Sequence, residues 1–112
     1  MKLTIILTLA ATALAFTRPK ANEYKNPDCS DLNYGHNSFF LEDVNMDDTT
    51  KSVYLTDGST LEGMPKGWFG FSDKTGDGGK CSGERLGRLP EKCVNIDTLA
   101  SERIKCVRSE VL

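Results

Sequence analysis

The sequence predicts an all-β fold, a small disulfide-bonded sandwich of two Greek-key motifs, on three observations. Short apolar runs stand between clusters of Gly, Asn and Asp. No long window keeps a 3.6-residue apolar period, so amphipathic helices are not expected. A Cys-Ser-x-x-x-x-Gly heptad is written twice, as CSDLNYG at 29–35 and as CSGERLG at 81–87.

Taken in chain order, residues 1–15 read as a secretory signal peptide. Met1-Lys2 opens with a positive charge, Leu3 to Leu14 is an apolar run, and Ala13-Leu14-Ala15 is a small-x-small cleavage site. Twelve helical residues span about 18 Å, short of the roughly 30 Å hydrocarbon core, so a leader is favoured over a membrane anchor. Cleavage after Ala15 leaves 97 residues, one domain over 16–112, expected outside the cell and expected to be a monomer with no membrane span.

Four runs in this region read as strands: Ser38-Phe39-Phe40-Leu41, Lys51 to Leu55, Gly67 to Phe71, and Ile104 to Val107. TDGS at 56–59 and TGDGG at 75–79 read as turns, because Gly accepts positive φ without steric cost. The one helix candidate is DTLASER at 97–103, where Asp97 is placed to cap one or two turns.

The repeat extends beyond the heptad. DVNMD at 43–47 matches CVNID at 93–97, and KSV at 51–53 matches KCV at 105–107. Phe16 lies thirteen residues before Cys29, as Trp68 lies thirteen before Cys81. Between heptad and VN the second copy is two residues shorter, and between VN and K-x-V four longer, as loop-length variation allows. The copies cover about 16–56 and 64–111, each the size of one Greek key. A four-stranded unit has one apolar face it cannot bury alone, and two units packed face to face bury both.

Without Lys2 the chain carries 13 basic and 16 acidic residues, interleaved rather than clustered, which argues against nucleic-acid binding. Cys29, Cys81, Cys93 and Cys106 are an even set, as two disulfides require, with three pairings open. A thiolate metal site is not expected, since there is no Cys-x-x-Cys and His36 is the only histidine. His36 sits in the polar stretch YGHNS, and nothing in the spacing of His36, Glu84 and Arg85 demands a catalytic cluster. An enzyme is therefore not expected. In GWFGF, strand alternation sends Trp68 one way and Phe69 and Phe71 the other. Most of these aromatics are expected in the core, and one face is a candidate anchor for a partner.

The second copy, with WFGFSDKTGDGGKCSG, CVNID and IKCVRS, and the first, with EYKNPDCSD, DVNMD and TTKSVYL, together resemble the βγ-crystallin family, more narrowly its small secreted fungal and microbial members. The resemblance implies a folded hairpin with a key glycine, Gly83 in the second copy, where the first has Asp31. It implies a late-strand serine tying down that hairpin, which is Ser52 in the first copy; Cys106 replaces it in the second, where a covalent link would take over. It implies the pairing Cys81–Cys93 with Cys29–Cys106, the main rival being Cys81–Cys106 with Cys29–Cys93. Family members often bind calcium through an acidic and hydroxyl stretch, here DDTTKS at 47–52 and SERIKC at 101–106. Lys51 and Lys105 stand where small hydroxyls are wanted, so no cofactor is expected beyond one weak calcium site at Asp47 and Asp48. Relatives of this size include toxins, a proteinase inhibitor and candidate fungal effectors. The resemblance thus implies a non-enzymatic protein binding an extracellular or host protein or cell surface, with a calcium-stabilised structural protein or a proteinase inhibitor as alternatives.

Overall fold

The computed structural model describes residues 18–38, 40–57, 65–76 and 79–112, so the assigned signal peptide and most of the connection between the two copies lie outside the described residues. Eight strands follow in chain order: β1 Lys20–Tyr24, β2 Leu32–Tyr34, β3 Asp43–Asn45, β4 Ser52–Thr56, β5 Lys66–Lys74, β6 Cys81–Leu89, β7 Cys93–Asn95 and β8 Cys106–Val111. They form two antiparallel sheets, ordered β2-β1-β4-β7 and β3-β8-β5-β6. In each half the first two strands are neighbours, and the fourth returns beside the first. The third strand leaves for the sheet of the other half.

The exchanged strands are three residues long, with one buried valine between two half-buried neighbours. Val44 of β3 lies opposite Val107, and Val94 of β7 lies opposite Val53. The next residues, Met46 and Ile96, are wholly buried, and their N–H groups donate to the carbonyls of Lys105 (2.9 Å) and Lys51 (3.2 Å). These cross-half contacts explain why VN and K-x-V occur twice. Between the sheets lies one core that includes Leu55, Trp68, Leu89 and Ile104.

The register aligns the halves residue by residue. Ser52 pairs with Tyr24 and Asn95, as Cys106 pairs with Phe71 and Asn45. Leu55 lies opposite Ala21 and Ser109 opposite Trp68, so the counterpart of Trp68 is Ala21 and not Phe16. Equal spacing to the heptads misleads here because the second hairpin is longer: Phe71 precedes Cys81 by ten residues, Tyr24 precedes Cys29 by five. One step further, Glu23 opposite Val53 corresponds to Gly70 opposite Val107. The buried Glu23 carboxylate accepts the Thr50 hydroxyl at 2.7 Å; at the counterpart of Thr50, Ile104 fills the space where a Gly70 side chain would stand, its nearest carbons 3.4 Å from an ideal Cβ. A polar pair and a small–large apolar pair thus solve the same packing problem.

Each β-hairpin is fastened to its own fourth strand. In the first half the Ser52 hydroxyl donates to the Asn26 carbonyl (2.5 Å) and accepts the Cys29 N–H (2.9 Å). In the second half the Cys106–Cys81 disulfide does this covalently. The other bridge is Cys29–Cys93, so the rival pairing is correct and Cys81–Cys93 with Cys29–Cys106 is not. The reason is the strand exchange: β7 carries Cys93 into the first sheet, beside the hairpin of Cys29, while β6 keeps Cys81 in the second. Closing loops of 64 and 25 residues restricts the unfolded chain by about 4 and about 3.5 kcal/mol in the chain-entropy treatment.

Gly83 and Asp31 adopt the same left-handed backbone, with φ of 74° and 64°, so the change of residue type leaves the turn intact. Asp is among the few side chains that tolerate this region. Two expected elements differ. Residues 97–103 form turns, pinned at the neck by the Ile104 N–H to Ile96 carbonyl bond (2.9 Å), and Asp97 binds Arg103 instead of capping a helix. Ser38, Phe40 and Leu41 lie in the sheet-to-sheet crossing before β3, with Leu41 packed on the core and Phe40 84% exposed; Phe39 is outside the described residues.

Ser52→Ala is expected to lower stability by about 1–3 kcal/mol in urea unfolding, since it strands two backbone groups under the hairpin. Gly83→Ala is expected to cost at least about 1–2 kcal/mol from its backbone conformation alone, because its Cβ would also stand 2.5 Å from Ser72 Oγ.

Candidate functional site

The aromatic run divides as strand alternation requires. Trp68 and Phe71 are buried, and the indole N–H donates to the Thr56 carbonyl at 2.8 Å. Phe71 packs with Cys81, Cys106 and Phe69 in a second small cluster on the outer face of the β5 sheet. Phe69 is half-buried beneath the Arg85 guanidinium, 4.1 Å from the ring centroid, and Arg108 covers Phe71 at 4.8 Å. Arg85 is held in turn by Glu110 at 2.8 Å. Arg108 forms two bonds to Asp43 across the halves (3.0 and 3.1 Å) and one to the Cys81 carbonyl. Of the three predicted partner-binding aromatics, only Phe69 keeps appreciable exposure, and it carries an arginine on its face.

The loop containing Asp47 and Asp48 is knitted by side-chain cations from the second half. Lys74 Nζ donates to the Met46 carbonyl (2.6 Å) and to Asp48 Oδ1 (3.0 Å). Arg103 donates to the carbonyls of Asp47 (3.1 Å) and Thr50 (3.0 Å) and to Asp97 (2.6 Å). Asp47 accepts both the hydroxyl and the N–H of Thr49, and these bonds, aided by Lys74 and Arg103, hold its carboxyl below the usual range. The carbonyls of Met46, Asp47 and Thr50 and one Asp48 oxygen are thus acceptors for an ammonium or a guanidinium, and the Asp47 carboxylate is turned onto Thr49. Among the described residues no group of three or more His, Cys, Asp or Glu side chains is placed to hold a metal.

His36, Glu84 and Arg85 are not brought together. His36 Nε2 lies 2.7 Å from the buried Glu23, which also accepts the Asp47 N–H and the Thr50 hydroxyl; Arg85 is bound to Glu110 on the other sheet. Glu23 therefore ties β1 to two crossing loops, and the sequence reading did not single it out.

A surface also missed lies on the outer face of the first sheet. Ala21 and Glu23 point inward, so Asn22 and Tyr24 point out, and the register sets Leu32 opposite Tyr24 and Tyr54 opposite Asn22 and Cys93. Leu32 is 57% and Tyr54 38% exposed. The signal was present in SVYLT, where Tyr54 is out of phase with the buried Val53 and Leu55.

Asp57 begins the connection between the halves. Its N–H donates to Glu91 Oε1 at 2.8 Å, and Arg88 approaches its carboxylate at 4.0 Å beside a shallow cavity of about 360 Å³ lined by Arg88, Leu89, Pro90 and Glu91. Burial, then the charge of Glu91 and a hydrogen bond with it, push the Asp57 carboxyl up to about 6 against the pull of Arg88. Asp43 moves the other way: burial raises it, but the bonds from Arg108 and the Cys81 N–H outweigh burial.

No known protein family, curated protein or solved structure matches the chain. Among the described residues no helix is long and apolar enough to cross a membrane.

Arg103→Ala is expected to destabilise the protein by about 1.5–3 kcal/mol, since three charge-assisted bonds are lost. Because the loop supplies its own cations, millimolar calcium and chelator should give the same melting temperature; a rise of many degrees with calcium would contradict this account. The pH dependence follows from the two aspartates. The Asp57 proton contributes stability that is complete below its ordinary value of 3.8 and lost as pH rises through about 6. Asp43 contributes stability present above 3.8 and lost on acidification. Thermal melting should thus be highest near pH 4, and Asp57→Asn should flatten the fall between about pH 4 and 6.

Proposed function

We propose that the chain is a secreted, non-enzymatic protein of βγ-crystallin type that acts by binding, as an effector or toxin-like protein directed at another cell or its proteins. The fold-level part of this reading is supported by the strand orders, with a fourth strand returning beside the first and the third exchanged, a pair of Greek keys completing each other. Secretion is supported by the leader at 1–15 and by the two disulfides. The non-enzymatic part is supported by the engagement of the reactive side chains in structural bonds, His36 with Glu23 and Arg85 with Glu110.

The observation that carries the binding reading is the outer face of the first sheet, where Leu32 lies opposite Tyr24 and Tyr54 stands on the neighbouring outward rung, opposite Asn22. Aromatic and aliphatic groups held on a rigid strand lose little freedom on docking, and such groups dominate interface energetics.

Purified residues 16–112 are expected to inhibit target cells or to give a saturable binding isotherm with a surface component of them. Leu32→Asp with Tyr54→Asp should keep the melting temperature and weaken that response by about tenfold or more. A wild-type protein that neither binds nor inhibits, or a double variant as potent as wild type, would refute the proposal.

A further inference from the structure

We propose that the Cys29–Cys93 bridge is a thiol–disulfide exchange site, opened by a low-molecular-weight thiol while the sandwich stays folded and the Cys81–Cys106 bridge stays closed. The two bridges differ in access. Cys29 and Cys93 are both half-buried, one in a hairpin loop and the other on an edge strand, and the Cys93 sulfur stands 4.0 Å from the carbonyl of the exposed Pro27. Cys81 is 8% exposed and Cys106 fully buried, packed with Phe71 and Phe69 and roofed by Arg108. Exchange requires a thiolate to approach a sulfur along the S–S axis, so access decides which bridge reacts.

The fold does not depend on the accessible bridge for its hairpin. Ser52 holds Asn26 and Cys29 by hydrogen bonds at the position where the second half uses Cys106, and these bonds survive reduction. Nor do the halves depend on it for their union, because β7 is paired to β4 and β3 to β8 through the backbone. The chemistry balances with two equivalents of thiol. The first thiolate attacks one sulfur, forming a mixed disulfide and releasing the other cysteine as a thiolate. A second thiolate displaces the mixed disulfide, so two RSH become RSSR and the bridge becomes two cysteine thiols. Cys93 lies opposite Tyr54, so the exchange site borders the exposed face, but the inference stands apart from the binding proposal.

The test is timed reduction of the native protein with glutathione, quenched with iodoacetamide and mapped by peptide mass. Cys29 and Cys93 should be labelled or glutathionylated about tenfold or more faster than Cys81 and Cys106, as differential access predicts. Trp68 fluorescence should stay native through this first phase. Cys29→Ser with Cys93→Ser should melt cooperatively at a lower temperature, with native Trp68 fluorescence and no fast phase. Equal rates, earlier labelling of Cys81 and Cys106, exposure of Trp68 together with the first pair of thiols, or a double variant that fails to fold would each overturn the proposal.

Discussion

The structure depends on the exchange of two three-residue strands. Each sheet takes its fourth member from the other half, and Val44 and Val94 can be buried only by crossing. A half without its partner would leave a sheet edge of β4 or β8 unpaired and would strand Met46 or Ile96, whose N–H groups are satisfied by the opposite half. Exposed edges and unpaired buried donors are both costly, so the two halves form one cooperative unit although each carries a complete sequence motif. Asp43 and Arg103 reinforce this, each binding across the halves.

Given that frame, positions related by the internal symmetry serve equivalent ends with unlike chemistry. Ser52 and Cys106 both fasten a hairpin, one by hydrogen bonds and one covalently. Glu23 with Thr50, and Gly70 with Ile104, both fill the space between first strand and crossing loop. The polar solution is acceptable only because every Glu23 oxygen is occupied, by Asp47, Thr50 and His36. Such a carboxylate fixes the position of two loops at once, which an aliphatic side chain would not do.

The repeated heptad, VN and K-x-V blocks were legible because burial at Val44, Val94, Val53 and Val107 imposes the same residue type twice. What alternation encodes is the face of a strand that is buried, not the sheet that the strand joins. The exchange was therefore invisible, and with it the cysteine pairing, since the partner of Cys93 follows from where β7 goes. Spacing placed Phe16 as the counterpart of Trp68 because a longer second hairpin shifts the count; only the register identifies Ala21. Of the candidate site residues, the core role of Trp68 was readable from its pattern, whereas the burial of Phe71 depends on the hairpin and Arg108 that cover it. The cations that occupy the Asp47–Asp48 loop were not, because Lys74 and Arg103 are distant in sequence and meet the loop only through the fold.

The interior and the strand edges are thus fixed by mutual requirements, and freedom is left to the two outer faces. These are treated differently. On the second sheet the long hairpin folds over β8, bringing Cys81 to Cys106 and to Asp43, and Arg85 and Arg108 cover the phenylalanines. On the first sheet the shorter hairpin is held down at Ser52 and Cys93, while Leu32 and Tyr54 stay exposed and Tyr24 is half-buried. A second aromatic face could have been covered by the same device of hairpin and arginine, yet the residues opposite Tyr54 are small or polar: Asn22 and the disulfide-bonded Cys93. Small neighbours leave the Tyr54 ring accessible without exposing the core beneath, since Ala21, Val53 and Leu55 remain sealed. A face built this way can change its side chains at little cost to folding, which is what the proposed binding role would require of it.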